Sequence, residues 1–293
     1  MSSRATSRDL HLTPVYEVQT PRLAALARGD NGSRRSFFSS ARAADFARSS
    51  ASALLDLILP PACAICGGAR SEHEPELVCG ACWLGAKELP RPRCDRCGHP
   101  FDPTRRAVDC AWCELLPPYV RAVRSAYALP GGYAEHIVHA LKYSGWRDIA
   151  VPMAKRMAGL RFPADVERER AALVPVPLAA SRQRERGYNQ STELARGLSA
   201  AWKIPLRLDV LERSRATVTQ TRLTPGERRR NVSGAFRSVT NRDSLRGLHL
   251  VLVDDVVTTA ATLNACAAAL YDGGARILSF VTFGRAPALG DRW

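Results

Sequence analysis

His249-Leu-Val-Leu-Val253, Asp254-Asp255-Val-Val-Thr258-Thr259-Ala-Ala-Thr262 and Leu263-Asn-Ala-Cys-Ala-Ala-Ala-Leu-Tyr271 follow one another without interruption. The first is an apolar run of strand length. The last is Ala/Leu-rich, of helix length and closed by Asp272-Gly273-Gly274, so the stretch reads strand, turn, helix. In an open α/β sheet, ligands bind beyond the carboxyl ends of the strands, and the following helix offers unpaired N–H groups and a positive dipole end to an anion. Thr258, Thr259 and Thr262 add hydroxyl donors for a phosphate. Asp254 and Asp255 suit different chemistry, since they can accept hydrogen bonds from a vicinal diol such as ribose, or hold magnesium through water. A phosphate cradle beside a diol clamp describes a sugar phosphate. The competing reading is the acidic strand end of any doubly wound domain.

At 293 residues the chain has room for one large domain and a smaller module. Its net charge of +14, from 42 basic and 28 acidic side chains, favours polyanionic partners. Between Ala171 and Arg242 there are 14 Lys/Arg against 5 Asp/Glu, a local +9. That excess fits a nucleic-acid surface, a solvated basic face, or arginines that bind pyrophosphate. No segment reads as membrane-spanning: the early apolar run Ala53–Leu59 is far short of the roughly 20 residues a membrane helix needs. It also lacks the cleavage site of a secretory signal, so the expected location is the cytoplasm. Residues 1–50 are Ser/Arg/Ala-rich and aperiodic, and read as a disordered leader or as sequence ahead of a later true start; an organelle-targeting peptide has a similar composition.

Eight of the nine cysteines lie between Cys63 and Cys113. Cys63-x-x-Cys66 and Cys79-x-x-Cys82 are repeated, spacing for spacing, by Cys94-x-x-Cys97 and Cys110-x-x-Cys113, and Gly67 and Gly98 each follow the second cysteine of a pair. A C-x-x-C turn points two thiolates at one ion and a second turn completes a tetrahedral site. The segment 51–117 therefore reads as a double zinc ribbon with two closed, structural Zn2+ sites, in preference to disulfides or an iron–sulfur cluster. Adjacent pairs are expected to share an ion, because each half is then self-contained.

The second domain, 118–293, opens with a β-prone run at Val120–Leu129, turns at Pro130-Gly131-Gly132 and continues as helices over Tyr133–Tyr143 and Asp148–Leu160. His136 and His139 share a helix face, yet without a third ligand they read as surface residues. Leu173-Val-Pro-Val-Pro177 is a short strand leading to an arginine-rich loop with Arg182, Arg184 and Arg186, and Gly187-Tyr188-Asn189-Gln190 then starts a helix through Ala201. Arg186 beside Gly187 at a helix start is a second anion-facing turn. Glu212–Phe236 is basic and aperiodic, and reads either as a flap over the site or as a solvated hairpin. Arg276–Phe283 is the last strand. The fold class expected is α/β, a parallel sheet flanked by helices and preceded by the cysteine module.

Val253–Thr262 resembles the phosphoribosyl-pyrophosphate loop of type I phosphoribosyltransferases, with Ala260 where that pattern has glycine, the residue that permits positive φ and close approach to phosphate. The paired cysteine knuckles, Arg-Gly-Tyr-Asn-Gln after Val-Pro-Val-Pro, and Asp-Asp-Val-x-Thr-Thr before a helix together resemble the ComF family, which includes the ComFC and GntX proteins. Leu141-Lys142-Tyr143, Gln220 with Leu223, and Arg230-Asn231-Val232 with Ala235-Phe236 extend the likeness over roughly 51–283. The resemblance implies a phosphoribosyltransferase-like domain that binds phosphoribosyl pyrophosphate with Mg2+. It places the 5-phosphate on Thr258, Thr259 and Thr262, the ribose hydroxyls on Asp254 and Asp255 as the catalytic pair, and pyrophosphate by Arg186 and Gly187. It also implies natural competence and DNA uptake, with single-stranded DNA and a helicase-like competence protein as partners. The other class left open is a nonenzymatic DNA-uptake factor that keeps the fold as scaffold or ligand sensor.

Overall fold

In the computed structural model, the residues described are 61–70, 76–101, 110–215, 232, 234–287 and 291. The apolar run Ala53–Leu59, the leader 1–50 and the centre of the 212–236 segment lie outside them. Leu55–Trp293 forms one compact unit.

Four parallel strands make the central sheet in the order β1-β6-β5-β2: β1 is Val120–Ala128, β2 Arg170–Pro175, β5 His249–Val257 and β6 Ile277–Arg285. Burial on both faces explains why β5 is continuously apolar, as parallel sheets require. Leu250 and Leu252 enter one core with Leu278 and Phe280 of β6, while Val251 and Val253 enter the other with Val281 and Phe283. Strand periodicity of two therefore survives as a choice between two cores.

Helices α3 (Tyr133–Tyr143), α4 (Ala150–Ala158) and α7 (Gln190–Trp202) cover the second of these faces, contributing Ile137, Leu141, Met153, Met157, Leu194 and Leu198. Helix α8 (Ala261–Asp272) and a two-stranded antiparallel hairpin, β3 (Leu211–Arg213) with β4 (Phe236–Ser238), cover the other. The pairing of β3 with β4 makes the ends of the Glu212–Phe236 segment a hairpin. The helix expected over Asp148–Leu160 begins as a 3-10 turn at Arg147–Ile149 and becomes α-helical only at α4. Pro152 sits in the first turn of α4, where its missing N–H costs no helical bond.

The two cysteine repeats fold alike and straddle β1. In the first, Cys63 N–H donates to Gly68 O at 2.8 Å and Gly67 N–H to Cys63 O at 2.9 Å; in the second, Cys94 N–H donates to His99 O at 2.8 Å and Gly98 N–H to Cys94 O at 2.9 Å. Gly67 and Gly98 take φ of +70° and +67°. A Cβ on Gly98 would also meet Val123 O of β1 at 2.4 Å, so that position needs glycine for both conformation and space. Short helices α1 (Gly80–Leu84) and α2 (Ala111–Glu114) follow the third cysteine of each repeat.

Cys63, Val78, Cys82 and Trp83 pack into the α3/α4/α7 core, whereas Cys97, Trp112 and Leu116 pack into the α8 core. Lys87, between the repeats, and Arg96, inside the second, close the edge of β1: Ala128 N–H donates to Lys87 O at 2.8 Å and Val123 N–H to Arg96 O at 2.8 Å. A free parallel-sheet edge would otherwise leave those groups unpaired. Arg96 locks the second repeat down by donating to the carbonyls of Cys113, Leu116, Pro117 and Val120 at 2.8–3.3 Å. Among the described residues no helix is long and apolar enough to cross a membrane.

Candidate functional site

β5 and β2 are neighbours and parallel, with Pro175 opposite Val253, so the turns that follow them emerge at the same end of the sheet. Val176 N–H, just past β2, donates to Val253 O at 3.0 Å. This topology puts at one end of the sheet two turns, read from the sequence as anion-facing, that lie some seventy residues apart in the chain.

Asp254 near the end of β5, Thr258, Thr259 and Ala260 in the turn after it, and Thr262 in the first turn of helix Ala261–Asp272 line one shallow cavity of about 50 Å³. Ala260 has φ 57° and ψ 10°, the left-handed conformation for which glycine is the usual residue. The turn thus keeps the glycine-type backbone with an alanine in it. Helix α8 begins at Ala261, and Ala260, its N-cap, has no side-chain oxygen to cap the first N–H groups. An uncapped N-terminus on a helix of 12 residues, ringed by three threonines, is suited to a phosphate.

Both carboxylates are buried and individually held. Asp254 Oδ1 accepts from Ser191 Oγ at 2.8 Å and from the Asp255 N–H at 2.9 Å. Burial and then the Asp255 charge push Asp254 up to about 7, against the opposing pull of the Ser191 hydrogen bond and Lys142. Asp255 Oδ2 pairs with Lys142 Nζ at 2.8 Å. Burial disfavours the Lys142 ammonium, but Asp255 beside it holds it above the ordinary lysine value. Cys266, the ninth cysteine, lies buried on α8, where burial and then Asp254 push its thiol well up.

The Arg-Gly-Tyr-Asn-Gln motif differs from its expected form. Arg182, Arg184 and Arg186 belong to a helix, α6 (Ala180–Arg186), not to a loop. No proline or glycine interrupts 180–186, and Gly187, at φ +78°, ends the helix in the left-handed region. Each following residue grips a different part of the site. Tyr188 hydroxyl donates to Leu141 O. Asn189 caps α7 by accepting from Ser191 N–H at 3.0 Å and donates to Val176 O at 3.0 Å. Gln190 Oε1 accepts from Arg186 Nη1 at 2.9 Å, and Ser191 reaches Asp254. The Arg186 guanidinium also lies 5.0 Å over the Tyr143 ring, with its buried Nε lacking a partner among the described residues. Gly187 lines a separate cavity with Pro175, Asn189 and Arg207.

Ser191 and Lys142 are the site residues that sequence reading missed. Lys142 was legible only as part of the Leu141-Lys142-Tyr143 match, and Ser191 carried no signal beyond following the motif. His136 and His139 are exposed on α3, against Tyr133 and Tyr143.

The cysteines form two groups, Cys63/Cys66/Cys79/Cys82 and Cys94/Cys97/Cys110/Cys113, with the four sulfur atoms of each within 4.8 Å of one another. Adjacent pairs share a group, as their self-contained spacing predicts. Sulfur separations of 3.8 Å in the first and 3.4–3.5 Å in the second are close to the ~3.8 Å edge of a tetrahedron with ~2.3 Å zinc–sulfur bonds. Both groups are thus zinc-binding clusters in number, chemistry and geometry. The buried Arg285, at the end of β6, donates to Cys97 O and lies over the Trp112 ring, bringing a positive charge beside the second cluster.

Comparison with known proteins agrees with both halves. Residues 54–114 match the double zinc ribbon domain family and residues 168–293 the phosphoribosyl transferase domain family. DNA utilization protein YhgH of Escherichia coli (strain K12) is 33% identical over 210 residues, spanning 68% of this chain and 86% of its own. Competence protein F of Haemophilus influenzae is 35% identical over 201 residues, 64% of this chain and 81% of its own. Competence protein ComFC of Bacillus subtilis is 28% identical over 203 residues, 68% of this chain and 80% of its own.

Proposed function

Because the chain belongs to the ComF family, uniting a double zinc ribbon with a phosphoribosyltransferase domain, we propose that its site binds phosphoribosyl pyrophosphate with magnesium in the service of DNA uptake or utilisation. The observation that carries the reading is the juxtaposition at one end of the sheet of the uncapped α8 N-terminus with its threonines and the buried Asp254–Asp255 pair. Thr258, Thr259, Thr262 and the α8 amides hold the 5-phosphate. Asp254 and Asp255 accept from the ribose hydroxyls. The unpartnered Nε of Arg186, beside Gly187, is a donor in reserve for pyrophosphate.

The groups that would hold the metal are the carboxylate oxygens of Asp254 and Asp255, which fit a hard cation such as magnesium. Bound with the ligand, magnesium supplies charge that stabilises departing pyrophosphate. The chain's own contribution to transfer is positioning and charge: the phosphate cradle fixes one end of the sugar and the acid pair fixes the ring, leaving C1 open to a nucleophile as its bond to pyrophosphate breaks. The names of the relatives place such proteins in DNA utilization and competence, and we extend that setting to this chain, in the cytoplasm, with single-stranded DNA and a helicase-like competence protein as partners.

The test is calorimetric titration of phosphoribosyl pyrophosphate with magnesium into the zinc-loaded protein and into an Asp254→Asn/Asp255→Asn variant. Saturable binding lost in the variant is expected. A folded wild type that binds none would overturn the ligand assignment and leave a nonenzymatic DNA-uptake factor as the reading.

A further inference from the structure

Leu141-Lys142-Tyr143 closes α3, and its three residues hold three different elements. The Leu141 carbonyl accepts from Tyr188 at the start of α7, Lys142 Nζ sits 2.8 Å from Asp255 Oδ2 at the end of β5, and the Tyr143 ring receives the Arg186 guanidinium at 5.0 Å from the end of α6. The opposite end of the same helix rests on the first cysteine repeat, with Ala134, Ile137 and Val138 in one core with Cys63, Cys82 and Trp83.

Two carboxylates on consecutive residues, both under 10% exposed, cannot both stay ionised without a counter-charge. Asp254 is held by two hydrogen bonds from neutral donors, Ser191 Oγ and a backbone N–H. Lys142 is the cation within salt-bridge distance of the pair among the described residues. It thus occupies, in the free protein, the carboxylate oxygen that a ribose hydroxyl or a hydrated metal would use.

We infer that Lys142 is a displaceable internal counter-cation: it neutralises Asp255 while the site is empty, excludes a divalent ion that arrives alone, and yields only to an ion that arrives with the sugar phosphate. The ammonium and the ion compete for one carboxylate, so the ligand's own phosphate contacts supply the additional attraction that tips the exchange. This deepens the ligand assignment above and rests on it only for the arm that contains the ligand.

Manganese serves as the spectroscopic probe, titrated into the full zinc-loaded chain and followed by paramagnetic resonance, with and without phosphoribosyl pyrophosphate. Without the ligand, Lys142→Met is expected to bind manganese at least roughly tenfold more tightly than wild type, since one positive charge next to the site has gone. Lys142→Arg, which keeps the charge, stays near wild type. If Lys142→Met needs metal to fold, manganese restoring its cooperative melting supports the inference, and failure of millimolar manganese to do so overturns it. Unchanged or weaker manganese binding by a folded Lys142→Met also overturns it, and reduces the lysine to a positioning role. A gain in that variant with no effect of phosphoribosyl pyrophosphate on any protein would keep the lysine assignment and remove the ligand.

Discussion

Replacing Ala260 with glycine tests the site at its most unusual backbone position. Ala260 is 5% exposed and left-handed at φ 57°. A Cβ in that region costs about 1–2 kcal/mol, which glycine recovers. Against this stand the loss of one buried methyl, about 0.8 kcal/mol, and the extra freedom of the unfolded chain, about 0.4–1 kcal/mol. The opposing effects are of equal size, so Ala260→Gly is expected to change stability by no more than about 0.5 kcal/mol, or roughly 2 °C in Tm for a domain of this size. Ala260→Val adds β-branching to the same strain and should cost at least about 2 kcal/mol. Chemical denaturation of the three proteins measures both. Glycine also lets the backbone approach a phosphate more closely, so calorimetry should find phosphoribosyl pyrophosphate binding as tight or tighter in Ala260→Gly. A glycine variant destabilised by more than about 1.5 kcal/mol, or a valine variant as stable as wild type, would show that position 260 is not left-handed and that the balance of strain and burial drawn for it is wrong.

Zinc removal should unfold more than the ribbons. The cysteine repeats contribute Cys63, Cys82 and Trp83 to one face of the sheet and Cys97 and Trp112 to the other, so a calorimetric scan of the chelated protein is expected to show no cooperative transition. Structural zinc contributes about 10–16 kcal/mol in small zinc modules, as much as a whole domain's net stability; a chelated protein that keeps its near-ultraviolet dichroism would refute this. Acid should weaken the fold through His249, which is 2% exposed with Nε2 2.9 Å from Ser279 Oγ and which burial lowers to about 4. The unfolded imidazole takes up its proton near pH ~6.5, so stability is intact above that pH and falls by up to about 3 kcal/mol as pH drops toward 4. His249→Gln should flatten that limb of the Tm–pH curve, and an unaltered slope would assign the acid sensitivity elsewhere.

Local pattern carried the parallel sheet, the β5–turn–α8 unit, the flanking helices and the two cysteine clusters. Each depends on neighbours in sequence: a continuous apolar run marks a strand buried on both faces, and a C-x-x-C turn presents both thiolates to one ion whatever surrounds it. Asp254, Asp255 and the threonines were legible for the same reason, because they follow one another from the end of β5 through its turn into the start of α8. What only the tertiary structure decided was which distant groups complete that turn. Lys142 lies more than a hundred residues before Asp255, and Ser191 more than sixty before Asp254. Neither spacing has a period that sequence can reveal, since the contacts arise from sheet order placing β2 beside β5 and from α3 and α7 packing on one face of the sheet. The Arg-Gly-Tyr-Asn-Gln motif reads as an anion-facing turn from its composition, and only the tertiary structure adds that Tyr188 and Asn189 tie it to α3 and to the residue after β2. The placement of one cysteine repeat on each side of β1 was likewise hidden, because burial on two faces is a property of the assembled sheet and not of the repeats.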